Sequence, residues 1–376
     1  MINSKKMLAF GAVAALGFAA CGSDDDSGDE TETTEVATTE AAEEEAEAAS
    51  DGALTAVGLT YDIGGRGDQS FNDSAAAGIE RAVADLGIKA NELVPNEDGS
   101  NRAELLQLQA DEAELVIGVG FLFADDTVAA AGNNPDTLFA VVDDAMLDFE
   151  AEGGPAPRCE NCVGLTFAEE QGSFLVGAAA ALKSETGVIG FIGGVSGFGL
   201  IEKFEAGYQA GAQAVNPDIV IESQYITAAP DFDGFFAPDR AKEIALTMYD
   251  DGADIVYHAA GGSGAGVFEA AKEFSEANGS KVWGIGVDSD QYNTVDAAVQ
   301  EYVLTSMLKR VDNAVYEITK AANDGAAEVG NVVYDLSTDG VGYSTSGGYL
   351  DDIVDQLEEF KAQIQDGTIT VPTEPS

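Results

Sequence analysis

Leu115-Val-Ile-Gly-Val119 and Leu138-Phe-Ala-Val-Val142 are apolar runs of strand length, with a helical stretch near Thr127 to Ala131 between them and Asp143-Asp144 directly after the second. Two short runs buried on both faces and joined through a helix form a βαβ unit, so their strands are parallel. Toward the N-terminus the alternation continues. Leu54 to Thr60 reads as a strand, followed by a helix with Ala75, Ile79, Val83 and Leu86 on one face, a strand near Glu92 to Val94 and a helix carrying Leu105, Leu106 and Leu108. Toward the C-terminus the pattern restarts with a long helix near Glu169 to Leu182. Strands at Val188–Ile192, Ile219–Tyr225, Asp254–Tyr257 and Val282–Val287 then alternate with helices near 201–215, 240–249 and 267–274. Two successive series predict two α/β lobes, each built on a parallel sheet.

Composition agrees and excludes several functions. The chain has 376 residues, 45% of them hydrophobic, which is enough for a sizeable core and more than one lobe. It carries 68 acids against 17 Lys and Arg, a balance that repels phosphate backbones and excludes nucleic acid as a partner. One histidine, His258, and three cysteines leave no set of residues for most metal sites or His-based catalytic triads, so neither a metal nor a cofactor is expected. At the N-terminus, Lys5-Lys6 precede an apolar run from Met7 to Ala20, too short to span a bilayer and of the length of a signal-peptide core. The run ends at Cys21 and is similar to a bacterial lipoprotein box, with Phe18 where Leu is usual. Residues 1–20 therefore read as a signal peptide and Cys21 as the lipidated residue, which places the protein on the extracytoplasmic face of the cell membrane. Residues 21–52 read as an acidic tether with nothing to bury. Of the 68 acids, 13 fall between Gly22 and Asp51; from Gly52 onward 55 acids face 15 bases. Ordinary solubility and adaptation to a saline medium both account for that surplus. Cys159 and Cys162, in an exported chain without a second ligand pair, are expected to form a local disulfide.

In parallel α/β sheets ligands bind beyond the carboxyl ends of the strands. There the sequence places Asp62 with Gly64-Gly-Arg-Gly67 and Ser70-Phe71-Asn72, then Asp143-Asp144, then His258 with Gly261-Gly-Ser-Gly-Ala-Gly266, and finally Asp288-Ser-Asp290. Gly190 to Gly199 does not fit the dinucleotide fingerprint, and its glycines are read as easing a strand-to-helix turn; no phosphate loop, nucleophile elbow or calcium loop occurs. Carboxylates at the strand ends repel an anion and accept hydrogen bonds from hydroxyls. A neutral, hydroxyl-rich ligand follows.

The chain resembles the basic-membrane-protein family of substrate-binding lipoproteins, the purine nucleoside receptor type of ABC transporters. The matching stretches include Asp68-Gln-Ser-Phe-Asn72, Phe139-Ala-Val-Val-Asp143, Gly172-Ser-Phe-Leu-Val-Gly177, Ala259 to Phe268, Trp283 to Gln291 and Leu304-Thr-Ser-Met-Leu-Lys309. The resemblance implies the type I periplasmic-binding-protein fold, two doubly wound parallel-sheet lobes joined by a hinge, with residues 53–165 plus about 308–328 in lobe 1 and 166–307 plus about 329–370 in lobe 2. It also implies capture of a purine nucleoside, or a similar neutral nucleoside, for an ABC permease and its ATPase subunits. Phe71 would be one plate of an aromatic sandwich with Asn72 beside it. Phe235 would be the opposing plate, with Phe236 its rival, because Phe232 and Gly234 depart from the family pattern. Asp62 and Asp143 match positions at the base end; Gly262, Asp288 and Lys309 match the ribose end. Read without the resemblance, Lys309 is a solvated helix start. The alternatives are a binding protein for another neutral, sugar-like solute or signal, and an exported carbohydrate- or nucleoside-processing enzyme using the Asp cluster.

Overall fold

The computed structural model describes residues 53–376. The signal peptide, the Cys21 anchor and the tether lie outside the described residues. The first sheet is assembled from β1 (Ala56–Thr60), β2 (Lys89–Leu93), β3 (Leu115–Gly118) and β4 (Leu138–Val142), followed by a small hairpin of β5 (Leu147–Asp148) and β6 (Ala156–Pro157), and then β7 (Cys162–Phe167). The second contains β8 (Val188–Ser196), β9 (Val220–Ala228), β10 (Ile255–Ala259), β11 (Trp283–Asp288) and β12 (Val303–Lys309). Two late strands complete the sheets, β13 (Gly330–Tyr334) and β14 (Val341–Tyr343). The orders are β13-β7-β4-β3-β1-β2 and β14-β12-β11-β10-β8-β9. Within these two sheets every pairing is parallel except β12 with β14. In each sheet the order reverses beside the first strand, at β1/β3 and at β8/β10, the switch points where a crevice opens past the strand ends.

Helices α1 (Phe71–Leu86), α2 (Arg102–Ala110) and α3 (Ala124–Asn133) connect strands of the first sheet. In the second lobe α4 (Glu169–Lys183) precedes β8, and α5 (Leu200–Val215), α6 (Pro238–Asp250), α7 (Ala265–Asn278) and α8 (Gln291–Thr294) connect its strands. Of the last two, α9 (Val311–Asn323) packs on α1 and α10 (Val354–Gln365) on α4. The α4–α5 pair is close because it is built of small residues. A Cβ on Gly177, Gly207 or Gly211 would lie within 2.2 Å of a backbone oxygen of the facing helix. The cores are continuous apolar strands, Val57, Leu59, Ile117 and Leu165 in one lobe and Ile189, Phe191, Ile255 and Ile285 in the other, all buried. Cys159 and Cys162 form a disulfide at the start of β7, with a Cα–Cα distance of 5.5 Å.

The lobe boundary expected at 329 is corrected. β13 pairs residue for residue with β7, Gly330 with Val163 through Tyr334 with Phe167, so 330–334 belongs to the first sheet. The stretch around 308–309 belongs instead to the second sheet, as the end of β12. The chain therefore crosses between lobes after Phe167, after Lys309 and between Tyr334 and Val341. Pairing between strands far apart in the chain leaves no local mark in either segment.

Candidate functional site

All eight nominated residues, Asp62, Phe71, Asn72, Asp143, Phe235, Gly262, Asp288 and Lys309, line one cleft between the lobes, about 600 Å³ including its part open to solvent. The first lobe contributes the segment after β1, the start of α1 and the residue after β4; the second contributes the ends of β10, β11 and β12 and the turn before α6. Asp143 and Asp288 both adopt left-handed backbone, φ 70° and 64°. Asp tolerates that region better than most residues, and strained backbone of this kind gathers at binding sites.

Lys309 is the last residue of β12 and only 2% exposed, which corrects the reading of a solvated helix start. Its Nζ lies 2.6 Å from Asp143 Oδ1 and 3.5 Å from Glu169 Oε1, and within 5.6 Å of the ring centres of Phe71, Phe167 and Phe204. Burial opposes the ammonium charge, but the carboxylates of Asp143, Glu169 and Asp288 outweigh it and raise its pKa. The resemblance assigned Asp143 to the base end and Lys309 to the sugar end. The structure joins the two in one ion pair.

Asp288 accepts a 2.5 Å hydrogen bond from Ser70 Oγ of the other lobe. Burial raises its pKa to about 7 against the opposing pull of Lys309. Asp62 is raised by burial to about 6, although Ile63 N–H donates to its Oδ1 and Arg102 stands 3.7 Å away. The backbone N–H of Asp62 donates to Asn72 Oδ1, which leaves the Asn72 amide NH2 as the free donor.

The two neighbouring phenylalanines differ in setting. Phe235 is half-buried against Gly194, where a Cβ would come within 2.5 Å of its ring, and lies edge-on to Phe198 at 6.4 Å. Phe236 is 47% exposed and covers Gly64 of the other lobe, where a Cβ would lie 2.0 Å from the ring. Gly194 makes room for Phe235 and Gly193 for Tyr225 within β8, which runs on to Ser196 rather than turning where the glycines begin.

The cleft also includes Asp68, Phe121, Ile201 and Phe204, which the sequence reading did not nominate. Asp68 was legible in principle. It caps α1 by accepting from the N–H groups of Ser70, Asn72 and Asp73, and an acid just before a helix signals that role. Phe121 follows β3 and obeys the same strand-end rule; Phe204, inside α5, carries no such signal. Asp144, His258 and Asp290, nominated by position, do not line the cleft. His258 is fully buried, with its Nε2 3.0 Å from Gln291 Oε1.

Two doubly wound lobes enclosing a cleft of carboxylates, one buried lysine and phenylalanines define a bilobal solute-binding protein. Residues 55–374 match the family model described as Bmp, ABC transporter substrate-binding protein PnrA-like, and the chain belongs to that family. It is 35% identical to a CD4+ T-cell-stimulating antigen of Listeria monocytogenes over 85% of this chain and 88% of the relative. It is 34% identical to the ABC transporter nucleoside-binding protein BmpA of Lactococcus lactis over 84% and 88%. Among solved structures, an ABC transporter solute-binding protein from Aeropyrum pernix K1 superposes with a TM-score of 0.70 at 26% identity, covering 85% of this chain and 94% of that one. Proteins of this class are not enzymes. They capture a small ligand outside the cytoplasm and deliver it to a permease and its ATPase. No helix among the described residues is long and apolar enough to cross a membrane.

Proposed function

We propose that the protein captures a purine nucleoside, or a similar neutral nucleoside, and that the solute lies between the lobes with Phe71 and Phe235 on its base and Asp288 and Lys309 at its sugar. One observation carries the reading: eight residues nominated from separate stretches of sequence converge on one cleft. A flat base suits phenylalanine faces from opposite lobes. Hydroxyls suit Asp288, which has a carboxylate oxygen beyond the one bonded to Ser70. Three further carboxylates, Asp62, Asp68 and Asp143, disfavour a phosphorylated ligand, since anionic charge would meet them in a poorly hydrated space. The nucleoside-binding relative from Lactococcus lactis points the same way.

On this proposal the protein works anchored through lipid on Cys21. The test of the ligand is mass spectrometry of small molecules released when the purified protein is denatured, followed by calorimetry with guanosine, inosine, adenosine and arabinose. A nucleoside released intact and rebound supports the reading; rebinding of the pentose alone overturns it.

A further inference from the structure

Outside the cleft, the second lobe grips the two residues that precede Phe71. Gln291 Nε2 donates to the Gln69 carbonyl at 3.0 Å, Thr294 Oγ1 donates to the same oxygen at 3.3 Å, and Ser289 Oγ donates to the Ser70 carbonyl at 3.0 Å. Gln69 has φ 56°, a left-handed conformation costly for glutamine, and that conformation presents the carbonyl to the other lobe. Its loop is stiffened from below. Asp73 accepts from the N–H groups of Gly67 and Gln69, and Asp68 from those of Ser70 and Asn72.

Gln291 is itself oriented from within its own lobe. Its Oε1 accepts from the Val287 N–H at 3.0 Å and lies 3.0 Å from His258 Nε2. Because Val287 can only donate, the carboxamide oxygen must face inward and the NH2 must face Gln69. The network thereby assigns the hydrogen of His258 to Nε2 and leaves Nδ1 bare, in agreement with a buried Nδ1 that has no partner. Gly286 leaves room for the carboxamide, since a Cβ there would come within 2.5 Å of Oε1. Neither Gln291 nor Thr294 lines the cleft.

We propose that Gln291, oriented by His258, is a positioning residue that with Thr294 latches the second lobe onto the Gln69 carbonyl, setting how long a captured solute stays enclosed without touching it. The latch seizes the peptide two residues before Phe71, so it closes the lobes and holds one wall of the cleft in the same contact. The proposal rests on the solute being enclosed between the lobes, and not on its being a nucleoside.

The test compares the wild type with Thr294→Val, which alters an exposed hydroxyl, and Gln291→Met, which keeps the side-chain length. Guanosine association and dissociation are followed by stopped flow, and interlobe distances by electron resonance with one spin label on each lobe. One hydrogen bond lost from the closed state predicts dissociation faster by about 2- to 10-fold for Thr294→Val, and more for Gln291→Met, with association changed by less than about 2-fold. The distance distribution should shift toward open lobes in both. Wild-type dissociation together with wild-type distances in both variants overturns the latch. Should Gln291→Met fail to fold, Ser289→Ala replaces it, with the same expectation. Should guanosine not bind the wild type, the nucleoside reading falls while the distances still decide the latch: a shift supports it and no shift overturns it.

Discussion

Asp288 combines a left-handed backbone, a carboxylate bonded across the lobes to Ser70, and a pKa raised to about 7. Truncating it removes a partner for sugar hydroxyls. Asp288→Ala should therefore weaken guanosine on the order of tenfold while leaving guanine nearly unchanged, which calorimetry with both ligands measures. Phe71→Ala should weaken both alike, by about tenfold or more, since stacking reads only the flat base. The raised carboxyls also set a pH dependence. Asp62, at about 6, and Asp288 hold protons more tightly folded than unfolded, where the ordinary value is 3.8. The folded state thus binds more protons across this window, and the stability these groups contribute is lost as pH rises from about 4 to 7. The melting temperature should be higher at pH 5 than at pH 8. Repulsion among the surface acids acts in the same direction, so the discriminating measurement is Asp288→Asn, which should flatten the slope between pH 5 and 7.

Among the elements, those with strong local patterns were legible. β4 occupies the residues read as a strand, and α1, α4 and α5 match their apolar periodicity to within a few residues. What was not legible depended on a distant partner. β13 is a strand because β7 offers it a parallel edge, and β8 continues through Gly193 and Gly194 because the rings of Tyr225 and Phe235 fill the space that side chains would take. The contact between α4 and α5 shows the same dependence. Gly177 reads as an ordinary helical glycine until Tyr208 O is found 2.2 Å from where its Cβ would stand. Gly177→Val should lower stability by about 1–3 kcal/mol or prevent folding, seen as a fall in melting temperature or in soluble yield. A wild-type melting temperature would mean that the helices can part without loss. This pair also holds the floor of the cleft, because Glu169 at the start of α4 bonds Lys203 of α5 and approaches Lys309.

For the whole molecule, net charge is the dominant quantity. From Gly52 onward 55 acids face 15 bases, a surplus that loads the two lobes with repulsion. Screening shortens from about 10 Å at 0.1 M salt to about 3 Å at 1 M. The melting temperature should therefore rise by several degrees between those concentrations in sodium chloride. A flat response would mean that the surface acids are already neutralised by local pairing. At the same scale, Cys21→Ser should release the protein from the membrane into the soluble fraction, and continued pelleting with lipid would exclude an acyl anchor there.

By itself the sequence determined what local chemistry encodes: alternating apolar runs for two parallel α/β lobes, carboxylates and glycines at strand ends, and motifs of one binding family in order. These survive without knowledge of neighbours because periodicity and strand-end position are properties of contiguous residues. Tertiary structure alone decided where the chain crosses between lobes, and that Lys309 is buried in an ion pair with Asp143 rather than solvated. It alone also decided that Gln69, in left-handed backbone, is gripped from the other lobe by Gln291 and Thr294. Each of these depends on groups more than a hundred residues apart meeting within hydrogen-bond range, which only the packing of both sheets against one cleft brings about.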